Sequence, residues 1–177
     1  LTQEHYDAAN RMLGPVQHSI GISCASYRGA EAWKTWTTKE WSVFLRLVVR
    51  EFPDVSFTLL GGSWDDLTAA VFDENEDLPW VVDARGMPPI GRTTFGAACA
   101  ILQRLSGYIG FSSGLGHVAA HCCGCPVFML WPDHEESLSR SWVDPELMET
   151  GMYVPPLWRE PEEVYKSTRQ WLRRAVW

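Results

Sequence analysis

A glycine-rich turn flanked by hydroxyl groups is the first feature of this sequence whose chemistry suits an anion. The stretch Ser112 to His117, SSGLGH, lies between the apolar runs Tyr108–Phe111 and Val127–Leu130, with a small-residue helical segment after it. This pattern predicts a strand, a tight turn, a helix and a second strand. Glycine lets a backbone approach a ligand closely, and the free N–H groups of a helix start suit a phosphate. The turn is therefore a candidate anion site, and the alternative is a tight connection alone.

A second set of polar groups follows the first predicted strand, Ser19–Cys24. The segment 25–37 is irregular and contains Ser26 and Lys34. In a parallel sheet it would lie at the carboxyl edge, where open α/β folds bind ligands. Lys34, which has tryptophans on both sides, can hold a phosphate, or it can be an ordinary solvated lysine.

Two acidic residues and one loop are candidates for contacts to the rest of a nucleotide. Asp65 and Asp66 follow the predicted strand Val55–Leu60, near the start of a helix. They can complement the helix dipole, or they can accept hydrogen bonds from ribose hydroxyls. The loop from Met87 to Arg92 follows the predicted strand Pro79–Asp83 and is a candidate to flank a base.

The same residues offer little support for hydrolytic or metal chemistry. Ser112 or Ser113 with His117 could suggest a hydrolase, but the G-x-S-x-G elbow is missing and a histidine on the same helix is poorly placed as a base. His117 and His121 beside the cysteines could suggest zinc, but there is no second pair of cysteines at finger spacing. We expect reduced core thiols and neither a metal nor another cofactor. The five cysteines are at positions 24, 99, 122, 123 and 125.

Helices and strands alternate along the chain, which predicts an α/β fold with a doubly wound, mostly parallel, Rossmann-like sheet of five or six strands. Thr38 is the predicted N-cap of a core-facing helix. Two further helices are predicted over Glu4–Leu13 and over Glu162–Ala175, and the latter is expected to dock on the body of the domain. Another predicted helix holds Leu67, Ala70 and Val71. A last one is predicted over 93–105, with Phe95 on its apolar side.

Composition narrows the class of protein. A chain of 177 residues fits one domain, and a net charge of −7 without a broad basic surface argues against a nucleic-acid partner. No apolar run is long enough to span a bilayer and no signal peptide is visible, so we expect a cytoplasmic protein without a transmembrane segment. Ten tryptophans are many for one core, so some indoles are expected to meet another domain or a ligand.

Several motifs in a fixed order resemble one known family. They are GISCAS near Gly21, KTW from Lys34, an amphipathic helix near Trp41, LLGG followed by acids, and SSGLGHVAA followed by GCPV. Over about residues 18–135 this order resembles the carboxyl-terminal domain of the heptosyltransferases, glycosyltransferase family 9, whose fold is the two-domain GT-B type. The resemblance implies a domain that binds an ADP-activated sugar, while the amino-terminal half holds the acceptor and the catalytic carboxylate.

Transferred to this sequence, the resemblance implies roles for individual residues. It implies that Ser26 and Lys34 face the diphosphate and that Asp65 or Asp66 binds the ribose. It also places Met87 beside the base. The implied diphosphate turn comprises Ser112, Ser113, Gly114, Leu115 and His117.

The sequence departs from the family in two ways. Ser112 stands where the family has an aspartate, and 177 residues leave no room for an acceptor domain. We therefore expect a donor-binding domain that transfers sugar, with inversion, only together with another domain or chain. The alternative is a non-catalytic interaction module that retains the half fold and uses a tryptophan-rich surface.

Overall fold

The computed structural model describes residues 1–14, 18–24, 36–62, 65–84, 94–131, 144–151, 153–154 and 160–175. The helices are α1 (Gln3–Leu13), α2 (Thr38–Glu51), α3 (Asp66–Asp73), α4 (Phe95–Leu102), α5 (Gly114–Cys123), α6 (Pro145–Glu149) and α7 (Pro161–Ala175). The strands are β1 (Ser19–Ser23), β2 (Ser56–Leu59), β3 (Trp80–Asp83), β4 (Gly107–Phe111), β5 (Val127–Leu130) and β6 (Tyr153–Val154).

The strands form one parallel sheet in the order β3-β2-β1-β4-β5-β6. Ile20 in β1 pairs with Phe57 on one side and with Gly107 on the other, so the chain winds outward in both directions from β1 and β4. This is the strand order of a Rossmann fold. The predicted doubly wound sheet is confirmed, and its switch point lies between β1 and β4.

Helices cover both faces of the sheet, and each face has its own apolar core. Side chains alternate along a strand, so Ile109 and Phe111 of β4 enter the core beneath α2, α3 and α7, whereas Tyr108 enters the core beneath α1, α4 and α5. Trp41 of α2 and Trp171 of α7 are buried in the first core. The sheet is thus buried on both sides, as parallel sheets usually are.

The predicted boundaries of α2 and α4 were wrong. The N-cap of α2 is Thr37 and not Thr38, because Thr37 accepts the Glu40 N–H at 3.3 Å and donates its own N–H to the Glu40 carboxylate at 2.6 Å. Helix α4 begins after its cap Thr94 and ends at Leu102, so it is shorter than predicted. Phe95, expected on the apolar side, is 67 % exposed.

The tryptophans of the described part of the chain serve the core more than the surface. Four of the five are buried, and Trp80 is half-buried. The buried ones are Trp36, Trp41, Trp131 and Trp171. The expected indole-lined surface is therefore not found among these five. Within the same residues, no helix is long and apolar enough to cross a membrane.

Candidate functional site

The candidate site lies at the carboxyl edge of the sheet, at the switch point between β1 and β4. Strand β4 ends at Phe111, and the Ser112 N–H still donates to the Leu130 carbonyl of β5 at 2.9 Å. The chain then turns at Ser113 into α5. The first turn of α5 therefore faces the crevice in which open α/β folds bind ligands.

Ser113 is the N-cap of α5, and it shapes the turn. Its Oγ accepts the Gly116 N–H at 3.3 Å, which satisfies one of the helix-start N–H groups. Gly114 is exposed, and a Cβ atom there would meet no heavy atom within 4 Å. The structure thus places Ser112, Ser113, Gly114 and Leu115 together at an open helix N-terminus, an arrangement suited to an anion.

Gly116 allows α5 to lie close to the sheet. A Cβ atom at this position would lie 2.2 Å from Met129 Cε and 3.2 Å from Tyr108 Cε1. In dinucleotide-binding folds a glycine after the phosphate turn has this same packing role. The close approach brings the start of the helix directly over the carboxyl ends of β4 and β5.

Tyr108 of β4 is a buried polar group behind the turn. Its ring runs along β4 over Gly110, where a Cβ atom would lie 2.8 Å from the phenol oxygen, and its hydroxyl lies 3.4 Å from Ser113 Oγ. Burial raises the pKa of Tyr108 to about 12, against the opposite effect of its hydrogen bonds with Ser113 and Ser23. Tyr108 was predicted only as part of an apolar strand and not as a polar group, although a tyrosine two residues before a strand glycine is a usable sign.

His117 lies one turn into α5, half-buried, at the side of the site next to β5. Its ring centroid lies 6.1 Å from that of Trp131 and 6.1 Å from that of His121. Burial lowers the pKa of His117, and the neighbouring His121 lowers it further. The imidazole is therefore neutral at pH 7 and can gain a proton when an anion approaches.

The two acidic candidates differ in how accessible they are. Asp65 is buried and caps α3: Oδ1 accepts the Thr68 N–H at 2.9 Å, and Oδ2 accepts the Thr68 hydroxyl at 2.6 Å. The Thr68 oxygen in turn accepts the Cys24 N–H at the end of β1, at 3.0 Å. Asp66 is exposed in the first turn of α3. Asp65 thus has the structural capping role, and Asp66 is the accessible carboxylate.

Three predicted site residues, Ser26, Lys34 and Met87, lie outside the described residues. The described residue nearest to Lys34 in sequence is Trp36, which is buried in an aromatic cluster. Its ring centroid lies 5.0 Å from that of Trp41 and 5.8 Å from that of Phe111, the residue before Ser112.

All five cysteines belong to the described part of the chain and have free thiols. Cys24, Cys99 and Cys125 are buried as expected, but Cys122 is exposed and Cys123 is partly so, which corrects the prediction of core thiols for that pair. Burial raises the pKa of Cys125 to about 12, so its thiol stays protonated at neutral pH. Among the described residues no three metal-ligating side chains converge.

No protein-family sequence model matches the chain, and no curated protein matches it by sequence. Solved structures do match by fold. A glycosyl transferase family 9 protein from Veillonella parvula DSM 2008 superposes with a TM-score of 0.74 at 16 % identity, over 98 % of this chain and 53 % of that one. The E. coli ADP-heptose LPS heptosyltransferase II gives a TM-score of 0.63 at 14 % identity, over 98 % and 53 %.

A third match is E. coli heptosyltransferase WaaC with ADP, with a TM-score of 0.58 at 13 % identity, over 94 % of this chain and 48 % of that one. The chain spans about half the length of each structure that it matches. The fold implied by the sequence resemblance is therefore confirmed: this chain has the fold of about half of a family 9 glycosyltransferase.

Proposed function

We propose that this chain is the donor-binding domain of a glycosyltransferase and that it binds a nucleotide diphosphate sugar, ADP-heptose or a similar ADP-sugar, at the start of α5. The observation that carries the proposal is the open, serine-capped N-terminus of α5 at the switch point of the sheet. The fold supports it, since one of the matched structures is described with ADP.

The diphosphate would lie against the turn Ser112–Leu115, with His117 at its side. Backbone N–H groups and the positive end of the helix dipole would stabilise the charge that develops on the leaving diphosphate. A serine hydroxyl at position 112 can donate to a phosphate, which the aspartate it replaces could not do when ionised.

Ser26 and Lys34 would complete the diphosphate site. Lys34 is two residues from Trp36, whose ring packs on Phe111 immediately before the turn. A lysine attached at that point can place a compact, strongly charged ammonium group beside a phosphate.

The nucleoside would extend from the diphosphate toward β2 and β3. Asp66, or Asp65 if its cap opens, would accept hydrogen bonds from the ribose hydroxyls, because α3 begins at the same edge of the sheet. Met87 would flank the base.

The reaction would be an inverting displacement in which an acceptor hydroxyl attacks the anomeric carbon while this domain holds the departing diphosphate. The acceptor site and the base would come from another domain or chain. The described tryptophans belong mainly to the core, so they do not supply the aromatic surface of a non-catalytic interaction module.

Isothermal titration with ADP, alongside UDP and GDP, tests the proposal. We expect saturable binding of ADP that Lys34→Ala weakens about 10- to 150-fold, which corresponds to about 1.5–3 kcal/mol for a hydrogen bond to a charged group. Lys39→Ala, which removes an exposed lysine from the first turn of α2, is the matched control and should bind as the wild type does. A folded chain that binds none of the three nucleotides would refute the proposal.

A further inference from the structure

The buried phenol behind the turn has a hydrogen-bonding role that its position in the core does not explain. Tyr108 is fully buried, yet its hydroxyl reaches out of the core to within 3.4 Å of Ser113 Oγ. The path depends on Gly110, since any side chain there would meet the phenol oxygen at 2.8 Å. A buried tyrosine hydroxyl requires a partner, and Ser113 is a partner at the mouth of the site.

The direction of the Tyr108–Ser113 hydrogen bond decides where the serine proton points, and either oxygen can be the donor. A serine hydroxyl has one proton to donate and can accept two hydrogen bonds. Ser113 Oγ accepts the Gly116 N–H at 3.3 Å, and the Tyr108 hydroxyl, 3.4 Å away, can donate to the same oxygen. Ser23, buried at the end of β1, is also hydrogen-bonded to Tyr108 and can donate to its oxygen. When Tyr108 is the donor, both acceptor positions of Ser113 are filled, and its own proton points away from α5 and β4, into the open edge.

We infer that Tyr108 donates to Ser113 and, as a positioning residue, turns the Ser113 hydroxyl proton toward a phosphoryl oxygen of the bound ligand. The inference rests on the proposed function, because it names the group that meets the diphosphate. The distances of 3.4 and 3.3 Å are long for such bonds. Donation to an anion polarises the serine oxygen and strengthens the bond from Tyr108, since hydrogen bonds in a chain are cooperative.

The test is a double-mutant cycle measured by isothermal titration with ADP and, separately, with inorganic pyrophosphate. Tyr108→Phe retains the ring and should weaken both ligands about threefold to tenfold, as expected for one hydrogen bond. Ser113→Ala should weaken both at least about tenfold, because it removes a hydrogen bond to a charged group. In the Ser113→Ala background, Tyr108→Phe should change neither dissociation constant by more than about twofold.

Two matched variants separate positioning from general loss of structure. Tyr6→Phe removes a tyrosine hydroxyl of α1 that donates to Gln103, the residue after α4, at 2.9 Å. Thr94→Ala removes the cap of α4, which accepts the Ala97 N–H at the same 3.3 Å as the cap of α5. Both should bind ADP and pyrophosphate as the wild type does, although Thr94→Ala should lower the melting temperature.

The outcomes distinguish the inference from the function on which it rests. The inference is overturned if the wild type binds both ligands and Tyr108→Phe leaves the dissociation constants unchanged. It is also overturned if Tyr108→Phe weakens binding equally with and without the Ser113 hydroxyl. In both cases the donor domain is retained as the proposed function. If pyrophosphate binding follows the expected cycle but ADP binds no more tightly than pyrophosphate, the inference is supported and the proposal that the site binds a nucleotide is refuted. Binding of neither ligand overturns both.

Discussion

The Thr68 hydroxyl donates to Oδ2 of Asp65 at 2.6 Å while its oxygen accepts the Cys24 N–H at 3.0 Å. One buried side chain therefore joins the carboxyl end of β1 to the start of α3. These two points lie on the edge of the sheet that contains the candidate site. The chain leaves β1 from a fixed position, and the segment with Ser26 and Lys34 begins there.

Thr68→Val should destabilise the protein by about 1–3 kcal/mol, because it removes the hydroxyl that accepts the buried Cys24 N–H and donates to Oδ2 of Asp65. Valine has the same shape, so packing is retained. Thr168→Val is the control, since Thr168 is equally buried and its hydroxyl donates to the Val164 carbonyl of its own helix, at 3.0 Å. Urea unfolding measures both, and equal losses of stability in the two variants would contradict a special role for Thr68.

Gly116→Ala should also destabilise the protein, by about 1–3 kcal/mol, because the new methyl group would overlap Met129 and crowd the Tyr108 ring. Both neighbours are fully buried and cannot move aside freely. Gly114→Ala, two residues earlier and facing open space, should leave thermal stability unchanged or slightly higher. A Gly116→Ala variant as stable as the wild type would show that α5 can lift from the sheet without cost.

Glu51 joins α2 to α7 and should contribute stability that depends on pH. It accepts the Tyr165 hydroxyl at 2.7 Å and Arg173 at 2.8 Å. The hydrogen bond from Tyr165 lowers the pKa of Glu51 below its ordinary value of 4.5, and the arginines add to this effect. Because the folded pKa is the lower one, the stabilisation is complete above about pH 4.5 and is lost as the pH falls through the folded pKa.

The measurement is the free energy of unfolding of the wild type and Glu51→Gln between pH 7 and pH 3. The difference in free energy of unfolding between the two proteins, here called the gap, should be constant near neutral pH and should fall to zero in the acid range. Asp77→Asn is the control, since Asp77 pairs with Arg46 at 2.8 Å but is 64 % exposed, against 26 % for Glu51. Its gap should be smaller throughout. A gap for Glu51→Gln that persists at pH 3 would show that the carboxylate charge is not what stabilises the contact.

Much of the fold could be predicted from local patterns, because hydrophobic periodicity and turn residues determine the elements and their alternation determines a parallel sheet. Strand β5 was predicted with its observed ends, since Pro126 and Trp131-Pro132 delimit a continuous apolar run. Helix α6 and strand β6 were not predicted. They are too short to show a period, and β6 is a two-residue strand defined by its pairing with β5.

The candidate site was predictable only in part, and the reason is the same. The turn Ser112–His117 is local, so its residue types are enough to place it on a helix start. The contact of Thr68 with Cys24 joins two elements far apart in sequence. The order of residue types along the chain does not show that Thr68 of α3 will contact the end of β1. Phe95 was misplaced because helical spacing tells which residues share a side, not which side is covered.

His117 gives the last prediction, which concerns proton uptake on binding. Burial and His121 hold the pKa of His117 below 6.5, so the free protein has a neutral ring at pH 7. A diphosphate beside the ring favours the protonated form and raises that pKa on binding. ADP affinity should then increase as the pH falls from 7 toward 6, and titrations in buffers of different ionisation enthalpy should show protons taken up.

The pH dependence caused by His117 must be separated from that caused by protonation of the ADP phosphate, and two histidine variants make this separation. His117→Gln retains the phosphate titration but removes the ring, so its affinity should rise less steeply than that of the wild type as the pH falls. His121→Gln removes the neighbour that helps to hold the pKa of His117 down, so the increase in affinity should begin at a higher pH. Identical pH profiles for the wild type and His117→Gln would place His117 outside the anion site and leave the turn Ser112–Leu115 as its binding surface.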